Sequence, residues 1–189
     1  MKNVVLFASG SGSNAENIII KLKQRSQDNA FTIFTNNPDA KVLEKAKNLH
    51  IPFEIFNKSE LLEGLVLKKL IELKPDLIVL AGFLLKFPEN IVKHYPNKII
   101  NIHPALLPKH GGKGMYGMNV HETVFNNKET ETGITIHYVN ENYDEGKIIF
   151  QKSVSVTNCK TREEIAQKVL TLEHEYFPEV IFEILNPKF

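Results

Sequence analysis

The chain has 189 residues, 42% of them hydrophobic, with 23 Lys and Arg set against 22 Asp and Glu and a single cysteine. That length suits one domain with a substantial buried core, and a formal charge of +1 with acids and bases interspersed leaves no basic field for nucleic acid. The lone Cys159 excludes an internal disulfide framework and any CxxC or Cys/His zinc cluster, which suits a reducing cytosol.

The first apolar run, Val4-Val5-Leu6-Phe7-Ala8, is too short for a secretory h-region or a membrane span. It reads as a strand, followed by the loop Ser9-Gly10-Ser11-Gly12-Ser13-Asn14 and a helix marked by Ile18, Ile19, Ile20 and Leu22 with basic residues in its last turns. Glycines 10 and 12 permit a tight turn, and the helix N-terminus behind them offers free amides and a positive dipole end, an anion site suited to a phosphomonoester. Gly10-x-Gly12-x-x-Ala15 also fits the dinucleotide fingerprint, but the second strand, residues 31–35, runs into Asn36-Asn37-Pro38 instead of ending in Asp or Glu. A plain strand-to-helix turn without a ligand is the third alternative. No later stretch reaches eighteen uninterrupted apolar residues, so a soluble chain without a membrane partner is expected.

Residues 40–49 have a helical pattern, and residues 51–56 form a third strand that Pro52 places at a sheet edge. One helix is expected over residues 59–73. Residues 76–82 form an apolar run behind Pro75, as in a central parallel strand covered on both faces. The chain then leaves the sheet through Phe83-Leu84-Leu85-Lys86-Phe87, which either caps the core or walls a pocket for a flat ring. A short helix over residues 88–95 opens on Pro88.

The run Ile99-Ile100-Asn101-Ile102-His103 is the next strand, stopped by Pro104. Residues two apart share a face, so Asn101 and His103 project together while Ile102 packs inward. An amide that donates to a carbonyl oxygen as it gains charge, beside an imidazole that carries protons near neutral pH, suits acyl chemistry. Pro108 and the glycines at 111, 112, 114 and 117 make residues 106–117 an irregular, mobile loop. A helix over residues 119–127, with Asn119 as its N-cap, follows.

Residues 132–139 and 147–156 pair as strands around the turn Asn142-Tyr143-Asp144-Glu145-Gly146. Asp144 completes the amide and imidazole with a carboxylate that favours the protonated ring; the alternative is a strand-end His and a hairpin Asp of no consequence. The last helix opens on Thr161 with Glu163 and Glu164 in its first turn, buries Ile165, Val169 and Leu172, and is expected to kink at Pro178. Glu173 is either a surface carboxylate or an acceptor for ribose hydroxyls.

The whole pattern argues for an α/β chain: an open, mostly parallel, twisted sheet with helices on both faces, Rossmann-like in its N-terminal half and closed by an antiparallel C-terminal hairpin. Ligands collect at the carboxyl ends of such strands, where the glycine loop, the Leu84 loop and Asn101 with His103 all lie.

Gly10-Ser11-Gly12-Ser13-Asn14, residues 76–83, Asn101-Ile102-His103-Pro104-Ala105-Leu106-Leu107-Pro108, Gly133-Ile134-Thr135-Ile136-His137-Tyr138-Val139, Asp144-Glu145-Gly146 and Glu173-His174 together resemble the folate-dependent phosphoribosylglycinamide formyltransferase family. The resemblance implies the formyltransferase fold as a single domain over residues 1–189, with a phosphosugar-binding half, 1–100, and a catalytic and folate-binding half, 101–189. It implies transfer of the formyl group of 10-formyltetrahydrofolate to the amine of 5-phosphoribosylglycinamide in purine biosynthesis. The expectation is accordingly a cytoplasmic enzyme, monomer or homodimer, that needs no metal and no nucleic-acid partner.

Carried over by position, Gly12, Ser13 and Asn14 take the phosphate and Glu173 the ribose. Leu84, Leu85, Lys86, Phe87, Asn101, Asn140, Glu141, Asn142, Tyr143 and Asp144 meet the folate. Asn101, His103 and Asp144 carry the chemistry, with Asp144 raising the His103 pKa and fixing its tautomer. Two stretches depart from the family: Leu84-Leu85-Lys86 replaces a common Met-Arg-Ile, and Gly111-Gly112-Lys113-Gly114 replaces a proline-containing loop. Among relatives of this chemistry, a 10-formyltetrahydrofolate hydrolase is expected to carry an extra N-terminal domain, and a methionyl-tRNA formyltransferase a C-terminal domain and a basic surface. A non-catalytic nucleotide-binding module would leave the His and Asp without a task.

Overall fold

The structure, a computed structural model, describes residues 1–26 and 28–187. In chain order it forms β1 (Lys2–Phe7), α1 (Ser13–Arg25), β2 (Asn29–Thr35), α2 (Val42–Asn48), β3 (Phe53–Ile55), α3 (Lys58–Leu62), α4 (Leu65–Leu73), β4 (Leu77–Leu80), α5 (Glu89–His94), β5 (Ile99–His103), α6 (Met118–Asn126), β6 (Glu131–Tyr138), β7 (Ile148–Ser155) and α7 (Arg162–Leu185). The strands make one sheet in the order β3-β2-β1-β4-β5-β6-β7. Pairing is parallel from β3 through β5 and antiparallel at β5/β6 and β6/β7, which is the mixed sheet the pattern implied.

Alternation along the strands divides the core. Val4, Leu6, Val79, Ile100 and Ile102 face one side with Ile18 and Leu22 of α1 and Ile165, Val169 and Phe177 of α7. Val5, Phe7, Ile78, Leu80 and Ile99 face the other with Val66 and Leu70 of α4 and Ile91 of α5. Burial on both faces explains why β1 and β4 read as continuous apolar runs.

Two elements differ from expectation. The single helix over residues 59–73 is two helices, because Gly64 adopts φ 91° between α3 and α4. Leu61 and Val66 are both buried but stand five residues apart, about 140° around a straight helix. A left-handed glycine re-aims the second segment so that both reach the same core. Gly117, not Asn119, is the N-cap of α6, and the Asn119 amide instead donates back to the Gly114 carbonyl at 3.2 Å. Helix α7 contains Pro178 and continues past it. Proline has no N–H for the His174 carbonyl four residues earlier, and Asn17 of α1 fills that gap by donating from Nδ2 at 2.8 Å.

Candidate active site

Parallel strands β1, β4 and β5 all end on one side of the sheet, and the chain order reverses between β1 and β4, where ligand crevices form in open α/β sheets. A cleft of about 550 Å³ opens there. Its walls are residues 10–14, 80–87, 101–104 and 112–117, together with His121, His137, Val139, Asn140, Asn142, Tyr143, Asp144 and Glu173.

The glycine-loop end of the cleft is built on Gly12. Its φ of 67° lies in the left-handed region, and a Cβ there would run into Val42, so only glycine lets α1 start this close to α2. Gly10 has no positive φ and open space around it among the described residues; the conformational demand falls on Gly12 alone. Behind the loop, Asn14 donates from Nδ2 to Glu173 Oε2 at 2.6 Å, and its Oδ1 is buried with no partner among the described residues. Glu173 is no surface carboxylate. Burial pushes its pKa up to about 7, against the opposing pull of Asn14.

Antiparallel pairing sets the chemical end. Asn101 stands opposite His137 and His103 opposite Thr135, so the two residues that share a face of β5 meet two that share a face of β6. The His137 Nδ1–H donates to the Tyr138 carbonyl at 2.9 Å, leaving Nε2 to accept from Asn101 Nδ2 at 3.2 Å. One amide hydrogen of Asn101 is thereby committed and the group is oriented. The His103 side chain is 3% exposed, and its Nε2 donates to the His110 carbonyl at 2.8 Å. Its Nδ1 is therefore the nitrogen that titrates.

Asp144 Oδ2 lies 3.6 Å from His103 Nδ1, and Oδ1 lies 3.7 Å from His137 Nε2. The expected Asp144–His103 pair exists as a charge contact slightly beyond hydrogen-bond length. Asp144 takes its hydrogen bond from the Gly112 N–H at 2.9 Å, which ties residues 106–117 to the turn after β6. Burial works against its charge, yet His137, His103 and the Gly112 amide together hold the carboxyl below its usual range. For His103 the balance is opposite to the expected one. Burial pushes its pKa below the ordinary imidazole value, and Asp144 only partly restores it. Desolvation of a ring this enclosed outweighs a carboxylate that is not in hydrogen-bonding contact.

The expected folate residues Leu84, Leu85, Lys86, Asn140, Asn142 and Tyr143 line the same cleft, with the Lys86 ammonium 5.5 Å from the Tyr143 ring centroid. Phe87 also reaches it but is chiefly a core residue, edge-on to Phe7 at 5.0 Å. Glu141 does not line the cleft.

Three contributors lie outside the residues expected from sequence. His137 orients Asn101, as above. Thr135 is fully buried, donates to the Ala105 carbonyl at 2.7 Å and accepts from the Leu107 N–H at 3.0 Å, pinning the turn after His103. His121 of α6 forms part of the wall. The alternation Ile134-Thr135-Ile136-His137 was the available signal: two polar side chains on one face of an apolar strand.

Among the described residues no helix is long and apolar enough to cross a membrane, and no group of three or more His, Cys, Asp or Glu side chains is placed to hold a metal ion.

Residues 2–181 match the family model described as formyl transferase. The chain is 38% identical over 187 residues to the chloroplastic phosphoribosylglycinamide formyltransferase of Arabidopsis thaliana, covering 95% of this chain and 64% of that one. It is 37% identical over 193 residues to the phosphoribosylglycinamide formyltransferase of Bacillus subtilis (strain 168), covering 98% and 96%. The crystal structure of the phosphoribosylglycinamide formyltransferase from Bacillus halodurans superposes with a TM-score of 0.88 at 34% identity, over 98% of this chain and 96% of that one. The chain thus spans less than two thirds of the plant relative's length and nearly all of the two Bacillus proteins' lengths.

Proposed function

This chain belongs to the formyl transferase family, and we propose that it transfers the formyl group of 10-formyltetrahydrofolate to the amine of 5-phosphoribosylglycinamide. One observation carries the reading: an amide, an imidazole and a carboxylate converge at the end of β5, in the same cleft as a glycine-loop anion site at the start of α1.

In this reading Gly12, Ser13 and Asn14 receive the phosphate on the free amides of α1, and Glu173 accepts from ribose hydroxyls. The formyl donor lies along residues 84–87 and 140–144, with its formyl carbon at Asn101 and His103. The glycyl amine attacks that carbon. The second amide hydrogen of Asn101 meets the growing oxyanion, a contact worth about 3 kcal/mol in comparable sites. Negative charge on that oxygen favours a proton on the buried His103, whose imidazolium Asp144 then stabilises. The proton available from His103 is the one on Nε2, which the His110 carbonyl accepts at 2.8 Å. Collapse expels the folate nitrogen, which takes the His103 proton, while the attacking nitrogen, cationic after addition, gives its surplus proton to a base of the cleft or to water, so that one N–H is exchanged for another.

Residues 1–100 supply most of the phosphosugar site and residues 101–189 most of the chemistry. We place the enzyme in a reducing cytosol, as a monomer or homodimer acting on small molecules. Purified protein mixed with 10-formyltetrahydrofolate should consume the donor only when phosphoribosylglycinamide is present. Equal consumption without the amine would instead mark a hydrolase, and consumption in neither mixture a binding module.

A further inference from the structure

His121 is a titratable side chain of the cleft that the steps above leave unused. It lies in the first half of α6, 7% exposed, in the wall shared by residues 112–117 and His103. Its Nδ1 is enclosed by protein and has no hydrogen-bond partner among the described residues. Most buried polar atoms have a partner, which sets this nitrogen apart from the paired ring nitrogens of His103 and His137.

His103 and His121 have different company. His103 has the Asp144 carboxylate 3.6 Å away. His121 has no carboxylate acting on it; burial first, and then the charge of His103, press its pKa down to about 4. Glu173 of α7, Lys113 of the loop and His137 of β6 line the same cleft. When two like groups share a site and only one has a counter-ion, the proton settles on that one and the other stays neutral. His103 is then the acid, and His121 a free base beside it.

We propose that His121 is the proton acceptor for the attacking amine. This rests on the formyl-transfer reading above. As the amine nitrogen bonds to the formyl carbon, the carbonyl π pair moves to oxygen and the nitrogen becomes cationic; its surplus proton passes to the His121 imidazole. The carbonyl re-forms, the bond to the folate nitrogen breaks, and that nitrogen takes the His103 proton. His121 finally returns its proton to His103 or to water, so the net change is one N–H exchanged for another.

The test compares steady-state transfer by wild type, His121→Gln, His121→Ala and, as a control at an exposed neighbouring position, Glu122→Gln. We expect kcat to fall roughly a hundredfold in both His121 variants, with KM for the phosphosugar changed less than about threefold. Added imidazole should partly restore His121→Ala, and the rates of both variants should become dependent on buffer-base concentration. Glu122→Gln should match wild type. A His121→Gln enzyme within about threefold of wild type, or a loss of rate with neither imidazole rescue nor buffer-base dependence, overturns the proposal while formyl transfer by wild type stands. Wild type that transfers no formyl group overturns both readings together.

Discussion

Replacing Asp144 by Asn isolates the charge of this residue from its architecture. Asp144 has φ 56°, in the left-handed region that Asn tolerates nearly as well, whereas Ala would add backbone strain. The Asn Oδ1 can still accept from Gly112 N–H, so the loop contact survives. Only the negative charge 3.6 Å from His103 Nδ1 is lost. Unit charges about 4 Å apart attract by about 4 kcal/mol at an effective dielectric of 20. If the side chain's remaining exposure and the unchanged polar shell leave roughly half of this, the imidazolium loses about 2 kcal/mol, a roughly thirtyfold fall in kcat. Should acid assistance fail altogether, the loss extends to the hundredfold or ten-thousandfold range. The sign for pH follows. Asp144 raises the His103 pKa, so its removal lowers that value further, and the alkaline limb of kcat moves to lower pH. The assay is donor consumption at saturating phosphoribosylglycinamide across a pH series, with thermal melts to confirm folding. Full rate and an unmoved profile in Asp144→Asn would refute the role given to this carboxylate.

Other residues give independent tests. Asn101→Ala should lower kcat by about 10²–10³ with a smaller change in KM, measured by the same assay. Thr135→Val removes the donor to Ala105 and strands the buried Leu107 N–H and Ala105 carbonyl; a stability loss of about 1–3 kcal/mol is expected in urea titration. Gly12→Ala forces a side chain into the left-handed region and against Val42; it should cost about 1–3 kcal/mol and weaken phosphosugar binding, read by melting and calorimetry. Glu173, raised to about 7 by burial, binds its proton more tightly folded than unfolded. Its contribution is therefore fully present below about pH 4 and is lost as pH rises towards and through 7, so Glu173→Gln should gain stability on wild type between pH 5 and pH 8, on the order of 2 kcal/mol. Equal pH dependence of the two melts would count against a raised pKa at this half-buried carboxylate.

Much of the fold was readable because adjacent residues carry its period. Val4, Leu6 and Ile100 pack on one face, Val5, Phe7 and Ile99 on the other, and the same alternation by itself puts Asn101 and His103 on a shared face. The helix over residues 59–73 misled for the same reason: its apolar residues are dense enough to hide the phase jump between Leu61 and Val66, which only the turn at Gly64 reveals. Asn119 looked like a cap because its type is right for one, although Gly117 alone could adopt the turn into α6 at φ 54° and ψ −135°.

The order of the elements, the faces of the strands, the place of the glycine loop and the pairing of an amide with an imidazole on β5 are properties of local chain chemistry, and they are legible in the string of residues. Tertiary structure decided which groups reach them: His137 and Thr135 through the register of β6, Asp144 through the turn beyond it, His121 through α6, and Glu173 through α7 packed on α1. It also decided the signs of the pKa shifts at His103 and Glu173. Periodicity is set by neighbours along the backbone, whereas desolvation is set by atoms from remote segments that exclude water, and no local pattern records how completely they do so.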